Sequence, residues 1–167
     1  CIDFGGDGTV DAEVGTGAAL LGIGSTAQQF YPAQIVAGQT TLLNITGAGL
    51  STGDQIAVMA GSGICSVTTS MIAGVVATLN AGLSTIPTTL VFELEPHGLS
   101  AGMYTICIKF SGDLGFRTHV GRSQVKLKLQ GVVSGFTPSS LPSSMAPTDI
   151  TITGHGLAPE DKVILVP

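Results

Sequence analysis

Three cysteines are the residues best able to do covalent chemistry in this chain, and their spacing suggests which chemistry. The run Cys1-Ile-Asp-Phe-Gly-Gly-Asp7 returns as Cys107-Ile-Lys-Phe-Ser-Gly-Asp113, so Cys1 and Cys107 hold one position in two copies of a repeat. That leaves Cys65 to pair with Cys107 inside the intervening copy, with the partner of Cys1 expected upstream of it. A Cys65–Cys107 disulfide belongs to an oxidising compartment, which places the protein outside the cell or on its surface. Free buried thiols in a cytosolic protein are the alternative reading.

The other reactive side chains point to modification rather than catalysis. Asn44-Ile-Thr46 is the one N-glycosylation sequon, and strand alternation that turns Leu43 and Ile45 inward turns Asn44 outward, where a glycan could attach. Ser139, Ser140, Ser143, Ser144 and Thr148 lie beside Pro138, Pro142 and Pro147, a setting for O-linked sugars or for plain turn chemistry. Asp3, Asp7 and Asp11 do not make a calcium site: only Asp7 has an acidic counterpart, Asp113, and Gly5-Gly-Asp-Gly8 suits a tight hairpin. His97, His119 and His155 lack metal-ligand spacing, and no nucleophile, base and orienting group fall into register. The expectation is a protein that is not an enzyme, with no catalytic residue, no metal and no cofactor beyond covalent glycans.

The repeat sets the domain organisation. The same 106-residue offset maps Gly15 onto Gly121, Phe30 onto Phe136 and Pro32 onto Pro138. After one inserted residue, Ile45-Thr-Gly-Ala-Gly-Leu50 is answered by Ile152-Thr-Gly-His-Gly-Leu157, and Asp54 by Asp161. A period this long is a whole small domain rather than a solenoid turn. The 167 residues therefore divide into the end of one unit (1–24), a complete unit (25–130) and the start of a third (131–167), a window on a longer tandem array.

Composition narrows the partners. Charged residues are 10% of the chain, well below the roughly 25% of ordinary soluble domains. Fourteen Ser and nineteen Thr must supply surface polarity, as bare hydroxyls, under sugars, or inside an assembly. With a net charge of -5 and only six Lys and Arg, a nucleic acid partner is not expected. No apolar run reaches the roughly 18 residues of a membrane helix, so no direct membrane insertion is expected in this window.

Those residues must be positioned by strands. Twenty-four Gly, eight Pro and short β-rich runs between turn signals indicate an all-β sandwich. Strands are expected at 27–35, 40–46, 54–60, 63–69, 71–79, 88–95, 103–110, 115–120 and 123–130. In the strand 103–110, Tyr104, Ile106, Ile108 and Phe110 share the inner face, which puts Cys107 on the outer one. In 123–130, Val125, Leu127 and Leu129 are expected inward and Gln124, Lys126, Lys128 and Gln130 outward. In the preceding copy the outward positions are Ala18, Leu20, Gly22 and Gly24, a face that a neighbour or a glycan could cover. Because Val132 follows Gln130 so closely, the last strand of one unit should run into the first of the next with little linker.

The stretches Phe30-Tyr-Pro-Ala-Gln-Ile-Val-Ala-Gly38, Leu43-Asn-Ile-Thr-Gly-Ala-Gly-Leu50 and Gly53-Asp-Gln-Ile-Ala-Val58 resemble the opening of an IPT/TIG domain, the immunoglobulin-like fold shared with plexins and some transcription factors. Phe136-Thr-Pro-Ser-Ser140, Ile150-Thr-Ile-Thr-Gly-His-Gly-Leu157 and Asp161-Lys-Val-Ile-Leu165 resemble it again. Cys65 together with Met103-Tyr-Thr-Ile-Cys-Ile-Lys-Phe110 is similar to the cysteine-bearing Ig-like repeats of algal and protist surface glycoproteins. The resemblance implies tandem immunoglobulin-like sandwiches with structural and binding roles in extracellular arrays. DNA contact, the role of other branches of the family, is at odds with the scarcity of basic residues.

The functional expectation is a structural repeat of an extracellular, glycosylated filament or cell-surface rod whose partners are its own neighbouring repeats and its glycans. Two alternatives remain open on sequence: the stalk of a surface receptor or adhesin, and an accessory Ig-like module of a secreted carbohydrate-active enzyme. Joining of units within one chain or by strand exchange between chains is also open.

Overall fold

A computed structural model describes residues 24–61, 63–66, 75–116, 118–121, 125–141, 143, 147–164 and 166. It is all-β among the described residues. Eleven strands run in the order β1 (Thr26–Tyr31), β2 (Gln34–Val36), β3 (Thr41–Ala48), β4 (Gln55–Ala60), β5 (Val75–Leu79), β6 (Thr89–Pro96), β7 (Gly102–Lys109), β8 (Thr118–His119), β9 (Leu127–Gln130), β10 (Val132–Thr137) and β11 (Thr151–His155). Residues 1–23, including Cys1 and the three aspartates, lie outside the described set, as do Ser144 and the expected strand positions 67–74.

The first nine strands make two sheets, ordered β1-β3-β6-β5 and β2-β9-β7-β4, with β8 also pairing β7. Their inner faces share one core, in which Phe30, Leu43, Ile45, Leu90 and Phe92 of one sheet meet Ile35, Ile56, Ile106, Ile108, Leu127 and Leu129 of the other. Period-2 alternation produces this directly. Leu43 and Ile45 are wholly buried while Asn44 between them is half-buried on the opposite face.

The single strand expected over 27–35 is two strands in different sheets. β1 pairs antiparallel with β3, whereas β2 pairs parallel with β9, Ile35 beside Leu129. The chain changes sheets at Pro32 and Ala33, where proline supplies no amide to continue the β1 ladder. Pro32 thus follows the last residue of β1.

Of the strand expected over 123–130, Ser123 and Gln124 lie outside the described residues, β9 begins at Leu127, and Val125 is 44% exposed instead of inward. Of the expected strand at 115–120, Thr118–His119 pairs with β7 and Val120 N–H donates to the Ile106 carbonyl at 2.9 Å, while Arg117 lies outside the described residues. Residues 63–66 are not strand.

The pair β10 and β11 repeats the pair β1 and β3 residue for residue. Phe30 faces Ile45 and Phe136 faces Ile152; both ladders shift register at the same place, between Ala27 and Gln29 in one and between Val133 and Gly135 in the other. Under each bulge the opposite strand carries a glycine, and a Cβ on Gly47 or Gly154 would run into the carbonyl of Thr26 or Val132. The bulge, and not only a bend at the strand end, explains glycine at this position.

Candidate functional site

A disulfide lies on the outer face of the second sheet. Cys65 and Cys107 form a disulfide with Cα atoms 5.6 Å apart, closing a separation of 42 residues. Alternation along β7 positions it: Ile106 and Ile108 enter the main core, while Cys107 joins a separate small cluster with Ala57 and Cys65, flanked by Met59 and Phe116. Cys107 is completely buried although it faces away from the main core, because the segment holding Cys65 covers it. Beside the disulfide, Lys126 Nζ donates to Thr105 Oγ1 at 2.6 Å, and the Thr105 hydroxyl donates to the Gly61 carbonyl at 3.0 Å. That chain of donors fastens the chain after β4 to β7, and it accounts for Lys126 being only half exposed.

A second tie crosses the unit. Asp54 is 4% exposed, and its carboxylate accepts Ser51 N–H at 2.9 Å, Ser51 Oγ at 2.8 Å and Ser111 N–H at 2.8 Å. The turn after β3 is thereby bonded to the turn after β7. After β11, Asp161 Oδ2 accepts Ala158 N–H at 2.8 Å, the same bond at the aligned position. Sequence reading aligned Asp54 with Asp161 without giving either a role; the shared three-residue spacing from Ser51 and from Ala158 was the available signal.

Of the sites expected to carry sugar, Asn44 is half-buried and Ser144 lies outside the described residues. Asn44 sits on the outer face of the first sheet, between Tyr31 on β1 and Val91 on β6. Ser139, Ser140, Ser143 and Thr148 are exposed. The histidines remain apart: His97 pairs with Glu95 at 3.3 Å on the surface, His119 lies opposite Cys107 with its Nδ1 buried and unbonded, and His155 ends β11. Among the described residues no cluster of three or more His, Cys, Asp or Glu could hold a metal ion. Among the described residues no helix is long and apolar enough to cross a membrane.

The connection from β9 to β10 is short. Only Gly131 separates β9 from β10. Ala101 N–H donates to the Gly156 carbonyl at 2.8 Å, bonding the loop before β7 to the end of β11. Gly38, at φ +75°, accommodates the His155 ring so closely that a Cβ there would stand 2.5 Å from its Cγ. The short connection after Gln130 was visible in sequence, whereas the Gly38–His155 contact was not, because His155 stands where the aligned position 48 is alanine.

The main features among the described residues are thus a disulfide brace, a buried carboxylate tie and a short connection between β9 and β10. No family model, curated protein or solved structure matches the chain.

Proposed function

We propose that this chain is part of a non-catalytic structural protein: tandem immunoglobulin-like sandwiches of IPT/TIG type, stacked end to end in an extracellular glycosylated filament or rod. The observation that carries this reading is the recurrence of the β1–β3 register, bulge and glycine in β10–β11, one repeat further on and joined through a single residue. A unit that recurs with so short a connection, and with a backbone hydrogen bond across the junction, favours a rod over beads on a string. The sheet orders β1-β3-β6-β5 and β2-β9-β7-β4, with the first strand crossing between sheets, support an immunoglobulin-like arrangement.

The Cys65–Cys107 disulfide is compatible with an oxidising extracellular setting, and low charge beside abundant Ser and Thr supports a surface finished by sugars. Electron microscopy of native material tests the proposal. Long fibres of uniform width are expected; isolated stalks bearing a distinct head would instead support the receptor or adhesin reading.

A further inference from the structure

Tyr31 and Asn44 stand directly opposite each other across β1 and β3, on the outer face of the first sheet. Opposed residues of an antiparallel pair hold their Cβ atoms about 5 Å apart, so a group attached to the Asn44 amide begins beside the Tyr31 ring. That ring is 72% exposed, while Phe30 next to it is 8% exposed and belongs to the core. Tyr31 therefore adds nothing to the packing on which β1 is built. On the other side of Asn44 the row is filled: Val91 of β6 is 3% exposed although it alternates with Leu90 and Phe92 of the core, and its N–H donates to Ser84 Oγ at 3.0 Å. The open space beside Asn44 is over β1 and its tyrosine.

The register of β10 and β11 supplies a second observation. The core pair Phe30 and Ile45 returns as Phe136 and Ile152, but the outer pair Tyr31 and Asn44 returns as Thr137 and Thr151. Where the sequon is missing, the aromatic is missing too. The two ladders share their register, so the sheet itself does not call for tyrosine at this position. Asn44 is also in the middle of β3, between Thr41 and Ala48, and its cross-strand partners on both sides belong to the complete unit.

We propose that Tyr31 is the stacking platform for the first sugar of an N-linked glycan on Asn44. The C–H groups on one face of a pyranose ring carry partial positive charge and the face of an aromatic ring is negative, so the sugar lies flat on the phenol ring. Gln29 and Thr46, paired one row along on the same face, present an amide and a hydroxyl to the hydroxyls of that sugar. The sugar in turn takes the Tyr31 ring out of water, and the glycan leaves the unit along the sheet rather than away from it. The proposal rests on the reading of Asn44 as a glycosylated asparagine.

The test uses the chain secreted from a eukaryotic host, with the Asn44 glycan trimmed enzymatically to its innermost N-acetylglucosamine. In NMR spectra the Tyr31 ring should shift the ring protons of that sugar upfield of their positions in the unfolded glycosylated chain. Tyr31→Phe should keep the shift and Tyr31→Ser should abolish it; the side chain is on the surface, so neither variant touches the core. Thermal unfolding gives a second readout: removing the last sugar should lower the midpoint of the parent by about 4 °C and that of Tyr31→Ser by much less. Sugar protons left unshifted in the parent, or a shift that persists in Tyr31→Ser, overturns the stacking and leaves the glycan assignment standing, as does an equal loss of midpoint in the two chains. A secreted chain whose Asn44 is unmodified overturns both.

Discussion

The carboxylate of Asp54 accepts the backbone amide of Ser111 at 2.8 Å across 57 residues of chain, and so locks the turn after β3 to the turn after β7. Asp54→Ala leaves that buried amide and the Ser51 amide without their acceptor, at a cost of about 1–3 kcal/mol. Denaturant unfolding of the variant should show a lower midpoint with an unchanged slope. Asp161→Ala, at the exposed equivalent, should change the midpoint by much less.

The disulfide should be recovered as a Cys65–Cys107 peptide by non-reducing mapping of native material. Removing it as the Cys65→Ala, Cys107→Ala pair should lower stability by about 4 kcal/mol on the chain-entropy model for a separation of 42 residues. A Cys1–Cys65 or Cys1–Cys107 crosslink would contradict the pairing.

Two features of β7 were legible in sequence because they follow from alternation alone: Ile106 and Ile108 turn inward, and Cys107 turns to the other face. The sheet change at Pro32 was not legible, because Gln34 and Ile35 read as a continuation of the strand begun at Ala27, and pairing with β9 separates them. Val125 was misplaced for a related reason. The alternation of 123–130 continues on paper, whereas the paired strand starts at Leu127, and Lys126 is held by Thr105 instead. The Gly38–His155 contact needs two units in place before it exists at all.

Sugars are expected on Asn44 and on the Ser and Thr around Pro138 to Thr148. Intact-glycopeptide mass spectrometry should find Asn44 occupied and at least one hexose on the peptide carrying Ser139, Ser140, Ser143, Ser144 and Thr148. A wholly unmodified Asn44 peptide would remove the N-linked assignment, and an unmodified Pro138–Thr148 peptide the O-linked one.

Burial raises the Tyr104 hydroxyl above the ordinary tyrosine value of 10.0, and the hydroxyl donates to the Ser100 carbonyl at 2.7 Å. The unfolded chain ionises this group near 10, whereas the folded chain keeps it neutral to higher pH. The stabilisation is therefore complete below pH 10 and is lost as pH rises through the folded value. Thermal unfolding followed across that range should show a fall that the Tyr104→Phe variant lacks, along with a loss of about 1 kcal/mol at neutral pH from the missing hydrogen bond.

The central claim, that these units stack end to end with a fixed junction, is tested most directly by the axial repeat of native fibres in electron cryomicroscopy. With strands of up to eight residues at about 3.3 Å each plus their turns, each unit should advance the axis by roughly 30–45 Å, and that spacing should survive high salt. Fibres whose axial repeat bears no relation to one unit, or native material with no axial repeat, would contradict the account.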